Sequence, residues 1–122
     1  MSFDWSHYLD LAQELLGRAP GSLLEDANLR SSISRAYYAA FHKARLRLYD
    51  KWSVSIPTNA SAHAKVRVEF KRRKQKYIAI TLNRMRIDRN KADYDDSIIN
   101  LTFTANENLK RANKIISDLS SL

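Results

Sequence analysis

The amino-acid sequence predicts an all-α fold, an antiparallel bundle of four to five helices, on three observations. The 122 residues include only two Gly and two Pro, too few for a protein of many tight turns. Apolar residues make up 44 % and recur mostly at helical spacing. No two segments alternate convincingly enough to pair as strands, and one strand alone is marginal in water. A chain of this length buries one core, so residues 1–122 are expected to form a single domain.

The first helix is expected to begin near Ser2, with Trp5, Tyr8, Leu9, Ala12, Leu15 and Leu16 in one stripe, and to stop at Gly17 before Pro20-Gly21. Ser22-Leu23-Leu24-Glu25 reads as a capping box opening a long second helix that runs to about Lys51. Residues 52–60, with Pro57 and several small polar residues, form the clearest loop. Ala64 to Lys71 alternates apolar and polar strictly, a strand-like pattern with no partner. Val66 and Phe70, four apart, place 61–74 in a third helix instead. A fourth helix carries Ile78, Leu82 and Met85 to about Arg89. Thr104-Ala-Asn-Glu107 reads as a second capping box, opening a last helix with Leu109, Ala112, Ile116 and Leu119 on one face.

Charge narrows the function classes. The chain carries a formal +8, and residues 65–91 hold eleven of the 21 basic side chains against two acids, Glu69 and Asp88. That segment supplies all of the net positive charge, the asymmetry a polyanion-binding surface needs, because each phosphate neutralised by Lys or Arg releases condensed counterions. The candidate RNA-contacting residues are Arg67, Lys71, Arg72, Arg73, Lys74, Lys76, Arg84, Arg86 and Arg89; the bland alternative is a solvated helix face. Cysteine is absent, which excludes disulfides and thiolate metal sites. The opening residues lack a signal peptide's basic and apolar regions, and no apolar run approaches the roughly 20 residues of a membrane span. A cytoplasmic protein is therefore expected. Three histidines without Glu-His or Cys spacing make no recognisable metal site, and no cofactor is expected. His63 reads as a helix-start or core histidine, and Trp5, Trp52 and Phe103 read as core rather than base-stacking platforms, although Trp52, in a loop, could be either.

On a helical wheel the second helix has two faces. Ile33, Tyr37, Ala40, Phe41, Ala44 and Leu48 form the core stripe; Ser31, Arg35, Tyr38, His42, Arg45 and Tyr49 lie opposite. Arg35 and His42 are seven residues apart, about 10 Å along the axis and about 20° out of register, so both side chains can address one phosphodiester. Transesterification of RNA needs a proton acceptor for the 2′-hydroxyl, a donor for the leaving oxygen and positive charge on the phosphorane. Imidazole and guanidinium supply these without a metal. Tyr38 is placed to orient, and Tyr38, Leu46 and Tyr49 on the face away from the core suggest a homodimer through this helix.

Ser34-Arg35-Ala36-Tyr37-Tyr38-Ala39-Ala40-Phe41-His42-Lys43-Ala44, His63 with Val66 and Phe70 behind it, and Arg89-Asn-Lys-Ala92-Asp93-Tyr94 resemble, in this order, the short single-domain branch of the HEPN domain family. The resemblance spans residues 34–94. It implies a homodimer whose second helices meet, bringing two copies of an Arg-(four to six residues)-His motif, here Arg35 and His42, into one metal-independent endoribonuclease site. It also implies a place beside the toxins of toxin-antitoxin pairs whose partners are small nucleotidyltransferases. Other members bind nucleotides or RNA without cutting, or dock such a partner. Ala36 stands where many active members carry a polar residue, and Ala44 where the toxins silenced by nucleotide transfer carry a Tyr, so AMP transfer there is not expected. Arg89, Asp93 and Tyr94 match the family's later motif, and a structural pairing of Asp93 with Arg89 or another Arg is expected.

Overall fold

The structure, a computed structural model, describes residues 2–122, which form five α-helices without strands: α1 Ser6–Arg18, α2 Glu25–Trp52, α3 Ala62–Arg72, α4 Lys76–Tyr94 and α5 Leu101–Ser120. The all-helical bundle is as the sequence predicts. The 28-residue α2 is its axis, and every other helix packs on it. Ala36, Ala39, Ala40 and Ala44 are fully buried, giving α2 a seam of small side chains that lets neighbours approach its backbone.

Contacts set the directions. Trp5 meets His42 while Ser32 Oγ donates to the Ala12 carbonyl at 2.7 Å, so α1 runs antiparallel to α2. Arg30 meets the end of α4, and α4 is antiparallel too. His63 meets Tyr37 and Arg73 meets Trp52, so α3 runs parallel to α2, and residues 53–61 carry the chain back along the bundle. The main core joins Tyr37, Phe41, Leu48, Val66, Phe70, Ile78, Leu82, Met85 and Ile115. A smaller cluster of Leu29, Ile33, Ala92, Leu101 and Ala105 closes the end where α2 and α5 begin. Each fully buried large apolar side chain contributes roughly 1.5–3 kcal/mol.

Local signals shifted several boundaries. α1 starts at Ser6, not near Ser2, because the Asp4 carboxylate accepts from the Ser6 amide (3.0 Å) and hydroxyl (2.7 Å). Ser22 and Glu25 do not form a reciprocal capping box: Ser22 donates to the Ala19 carbonyl (3.0 Å) and Glu25 accepts from the Gly21 amide (2.9 Å). The link thus folds on itself, and Leu24 precedes the helix uncapped. The second expected capping box is also absent. α5 begins at Leu101 behind Asn100, whose φ of 59° makes the turn, and Thr104 and Glu107 lie inside the helix.

Within α5, Ile115 rather than Ile116 faces the core, and Phe103 is 65 % exposed, contrary to its expected core place. α4 continues five residues past Arg89, since Ala92 completes the second cluster. The strand-like alternation over 64–71 is resolved as helix: Val66 and Phe70 are buried and Val68 faces out. Among the described residues no helix is long and apolar enough to cross a membrane.

Candidate nucleic-acid interface

Two polar and aromatic clusters flank α2. On the α1 side, Arg35 and His42, which the sequence places on the face away from the core, are partly covered. Trp5 stacks on the His42 ring at 3.6 Å between centroids and 18° between planes, and the Arg35 guanidinium lies 4.8 Å from the centre of the Tyr8 ring. Phe3, Trp5 and Tyr8 pack edge to face among themselves, so the head of α1 forms an aromatic cap. Lys43 anchors it through Asp4 at 3.4 Å.

The cap changes what His42 can do. Arg45 Nε–H, an obligate donor, donates a hydrogen bond to His42 Nδ1 at 3.1 Å. Burial, then the neighbouring Arg45 charge, then His63, push the imidazole down to about 4. At neutral pH the ring is uncharged, its lone pair is engaged and its proton sits on Nε2. So placed, His42 is a hydrogen-bond donor, and a proton-accepting role requires Arg45 to move away. Arg35 faces a shallow cavity with Ser31, Ser34 and Asp93. Ala36 and Ala44 are in the core.

The second cluster lies where α3 and α4 cover α2. The Tyr37 hydroxyl and His63 Nδ1 are 2.5 Å apart, and the two rings stack at 5.6 Å. Burial raises the Tyr37 phenol well above its ordinary value, so it stays protonated. With the Tyr37 hydroxyl as donor, the neutral His63 carries its proton on Nε2. Burial first, then the charges of Arg89, Arg67 and Arg86, hold His63 below its ordinary value. The Arg89 guanidinium stands 5.6 Å from the centre of the Tyr37 ring and 5.3 Å from that of Tyr38.

Compensation there is scant. Asp93 meets Arg89 at 3.3 Å, as its spacing suggests, and Arg86 donates to Asn83 Oδ1 at 3.2 Å. Arg67 Nη1, Arg86 Nε and Arg89 Nε are buried with no hydrogen-bond partner among the described residues. Tyr38 joins the two clusters, 6.0 Å from His42 and 6.3 Å from His63 between ring centroids. It packs against the core, so it does not lie on a bare face as the homodimer expectation assumes; Tyr49, 59 % exposed, does.

The nine candidate RNA-contacting residues therefore divide. Arg67, Arg86 and Arg89 turn inward to His63. Lys71, Arg72, Lys74, Lys76 and Arg84 are exposed, and Arg84, two positions from Arg86, lies about 200° around α4 from it. Arg73 packs over Trp52 at 4.9 Å and shares Glu69 with Arg72. Asp88 is engaged by Arg111 (3.4 Å) and Asn108 (3.0 Å) and so is not free to neutralise the exposed cations. Sequence reasoning did not bring His63 and Tyr37 together, having read the first as a helix-start or core histidine and the second as part of the core stripe. The available signal was Arg86, Arg89 and Asp93 at i, i+3 and i+7, a polar stripe on one face of α4.

Comparison of the chain with protein-family models, with curated proteins and with solved structures finds no match.

Proposed function

We propose that this chain is an RNA-binding domain that makes its contacts through α3 and α4. The observation that carries the reading is the uncompensated charge there. Of the two acids between residues 65 and 91, Glu69 is held by Arg72 and Arg73 and Asp88 by Arg111, while Lys71, Lys74, Lys76 and Arg84 project into solvent. Such a surface favours a polyanion, and the partly exposed edges of the Tyr38 and Trp52 rings beside guanidinium groups suit unstacked bases. Replacing Lys71, Arg72 and Lys74 together by Ala is expected to weaken binding of single-stranded RNA. It should also flatten the slope of log affinity against log salt by about 2 units. A slope that does not change places the RNA elsewhere.

Metal-independent cleavage of the HEPN type is a second reading, favoured by the approach of two imidazoles, His42 and His63, to the Tyr38 ring. In it Arg35 holds the scissile phosphate, His42 moves the proton once Arg45 releases it, and Tyr38 orients, within a cytoplasmic homodimer joined through α2 and paired with a nucleotidyltransferase antitoxin. Incubation with total RNA and EDTA tests it. Cleavage leaving 2′,3′-cyclic phosphates, reduced about 10²–10⁴-fold in His42→Ala, supports it. Intact RNA with wild type, or a monomer by light scattering, counts against it.

A further inference from the structure

A buried guanidinium donor without a partner is costly, because it has given up its water and gained no acceptor in return. Three of them, on Arg67, Arg86 and Arg89, gather around one Tyr-His pair at the α2–α3–α4 junction. Packing does not call for them: an Arg stem buries equally well with its head in water. Among the described residues the carboxylate that meets any of the three is Asp93, on Arg89, which leaves the cluster with two uncompensated positive charges. With Tyr37 on Nδ1, His63 keeps its proton on Nε2, which adds a neutral donor to the cluster.

From this geometry we infer that Arg67, Arg86, Arg89 and His63 form a receptor for a terminal phosphate group, the phosphomonoester at an RNA end, with the Tyr38 ring as platform for the adjoining base. Charge selects the ester. A phosphomonoester carries close to two negative charges at pH 7, matching the local excess of two, whereas an internal phosphodiester carries one. Geometry agrees: guanidinium forks match phosphate oxygens bidentately, and each of the three side chains is only partly buried, so a small rotation of its head brings it to a terminal phosphate with three free oxygens. The inference rests on the RNA-binding reading and differs from it in location, since the exposed cations of Lys71, Arg72 and Lys74 recognise the backbone alone.

The test compares short single-stranded oligoribonucleotides of one sequence bearing a 5′-phosphate, a 3′-phosphate or neither, with inorganic phosphate as a fourth ligand. Wild type should bind one phosphorylated end about tenfold or more tightly over the unphosphorylated oligomer, the worth of a desolvated charge-assisted contact. Arg67→Gln and Arg86→Gln, each checked for folding by circular dichroism, should bring that ratio to near one and leave the unphosphorylated oligomer's affinity within about twofold. The Lys71, Arg72 and Lys74 triple replacement should weaken all oligomers alike and preserve the ratio.

Equal affinities in wild type, or a preference that survives in both Gln variants, overturns the receptor. If no oligomer binds, the RNA reading fails by itself. The receptor is then decided by inorganic phosphate: stabilisation of wild type but not of Arg67→Gln upholds a phosphate site, and no stabilisation overturns it.

Discussion

The two flanks of α2 are built from the same materials and end in opposite states. On the α1 flank, an arginine lies on a tyrosine, a histidine is stacked under a tryptophan, and its ring nitrogen already holds a proton donor. On the α3–α4 flank an arginine also lies over tyrosines and a histidine also has its nitrogen occupied, yet three guanidinium donors reach no acceptor. The first cluster is closed on itself, while the second keeps three buried donors unpaired among the described residues. The same residue types thus satisfy one another in one cluster and leave hydrogen-bonding capacity unmet in the other.

Breaking the closed cluster should cost the most. Trp5→Ala removes a half-buried indole and the lid over His42, and is expected to destabilise by about 2 kcal/mol, below the range for a fully buried Trp. The same variant should move the His42 titration upward from about 4, read by NMR of the ring protons. Tyr37→Phe, on the other flank, strands His63 Nδ1 and should cost about 1–2 kcal/mol in denaturant unfolding.

Acid sharpens the contrast. His42 titrates near 4 in the fold and near its ordinary 6.5 in the unfolded chain, so protonation favours unfolding. Its contribution is complete above pH 6.5 and is lost as pH falls toward 4; His42→Phe should remove that part of the pH dependence. The smallest effect is also the most discriminating. Arg67→Met relieves repulsion from Arg86 and the desolvation of a charge, and should raise stability by about 0.5 kcal/mol in phosphate-free buffer. In contrast, Arg35→Met, which removes a cation seated on a ring, should not raise it.

The helical class, the α2 core stripe from Ile33 to Leu48 and the cation-rich α3–α4 segment were legible because they rest on periodicity and counting, which neighbours in sequence decide. The cover over Arg35 and His42 was not. It depends on α1 folding back so that Trp5 meets a residue 37 positions away. Likewise Tyr37 fits a core stripe whether or not a histidine 26 positions on awaits its hydroxyl. Caps failed for a local reason: Asp4, Ser22 and Asn100 each offered a turn that outcompeted the expected helix start, and such side chains bond to backbone in several ways.

Arg30 ties these parts together. Its guanidinium donates to the Ala92 and Asp95 carbonyls at 2.9 and 2.6 Å and to that of Asp96 at 3.3 Å, taking up acceptors that the end of α4 leaves open. One side chain of the second helix thus serves as the lock on the last turn of the fourth. Opening that turn while α2 stays folded means giving up all three bonds, so the amides around Asp93 should exchange with solvent in step with the start of α2 rather than as a frayed end. The carboxylate that tempers the arginine cluster is thereby held in place from a distance, by a residue that does not touch the cluster.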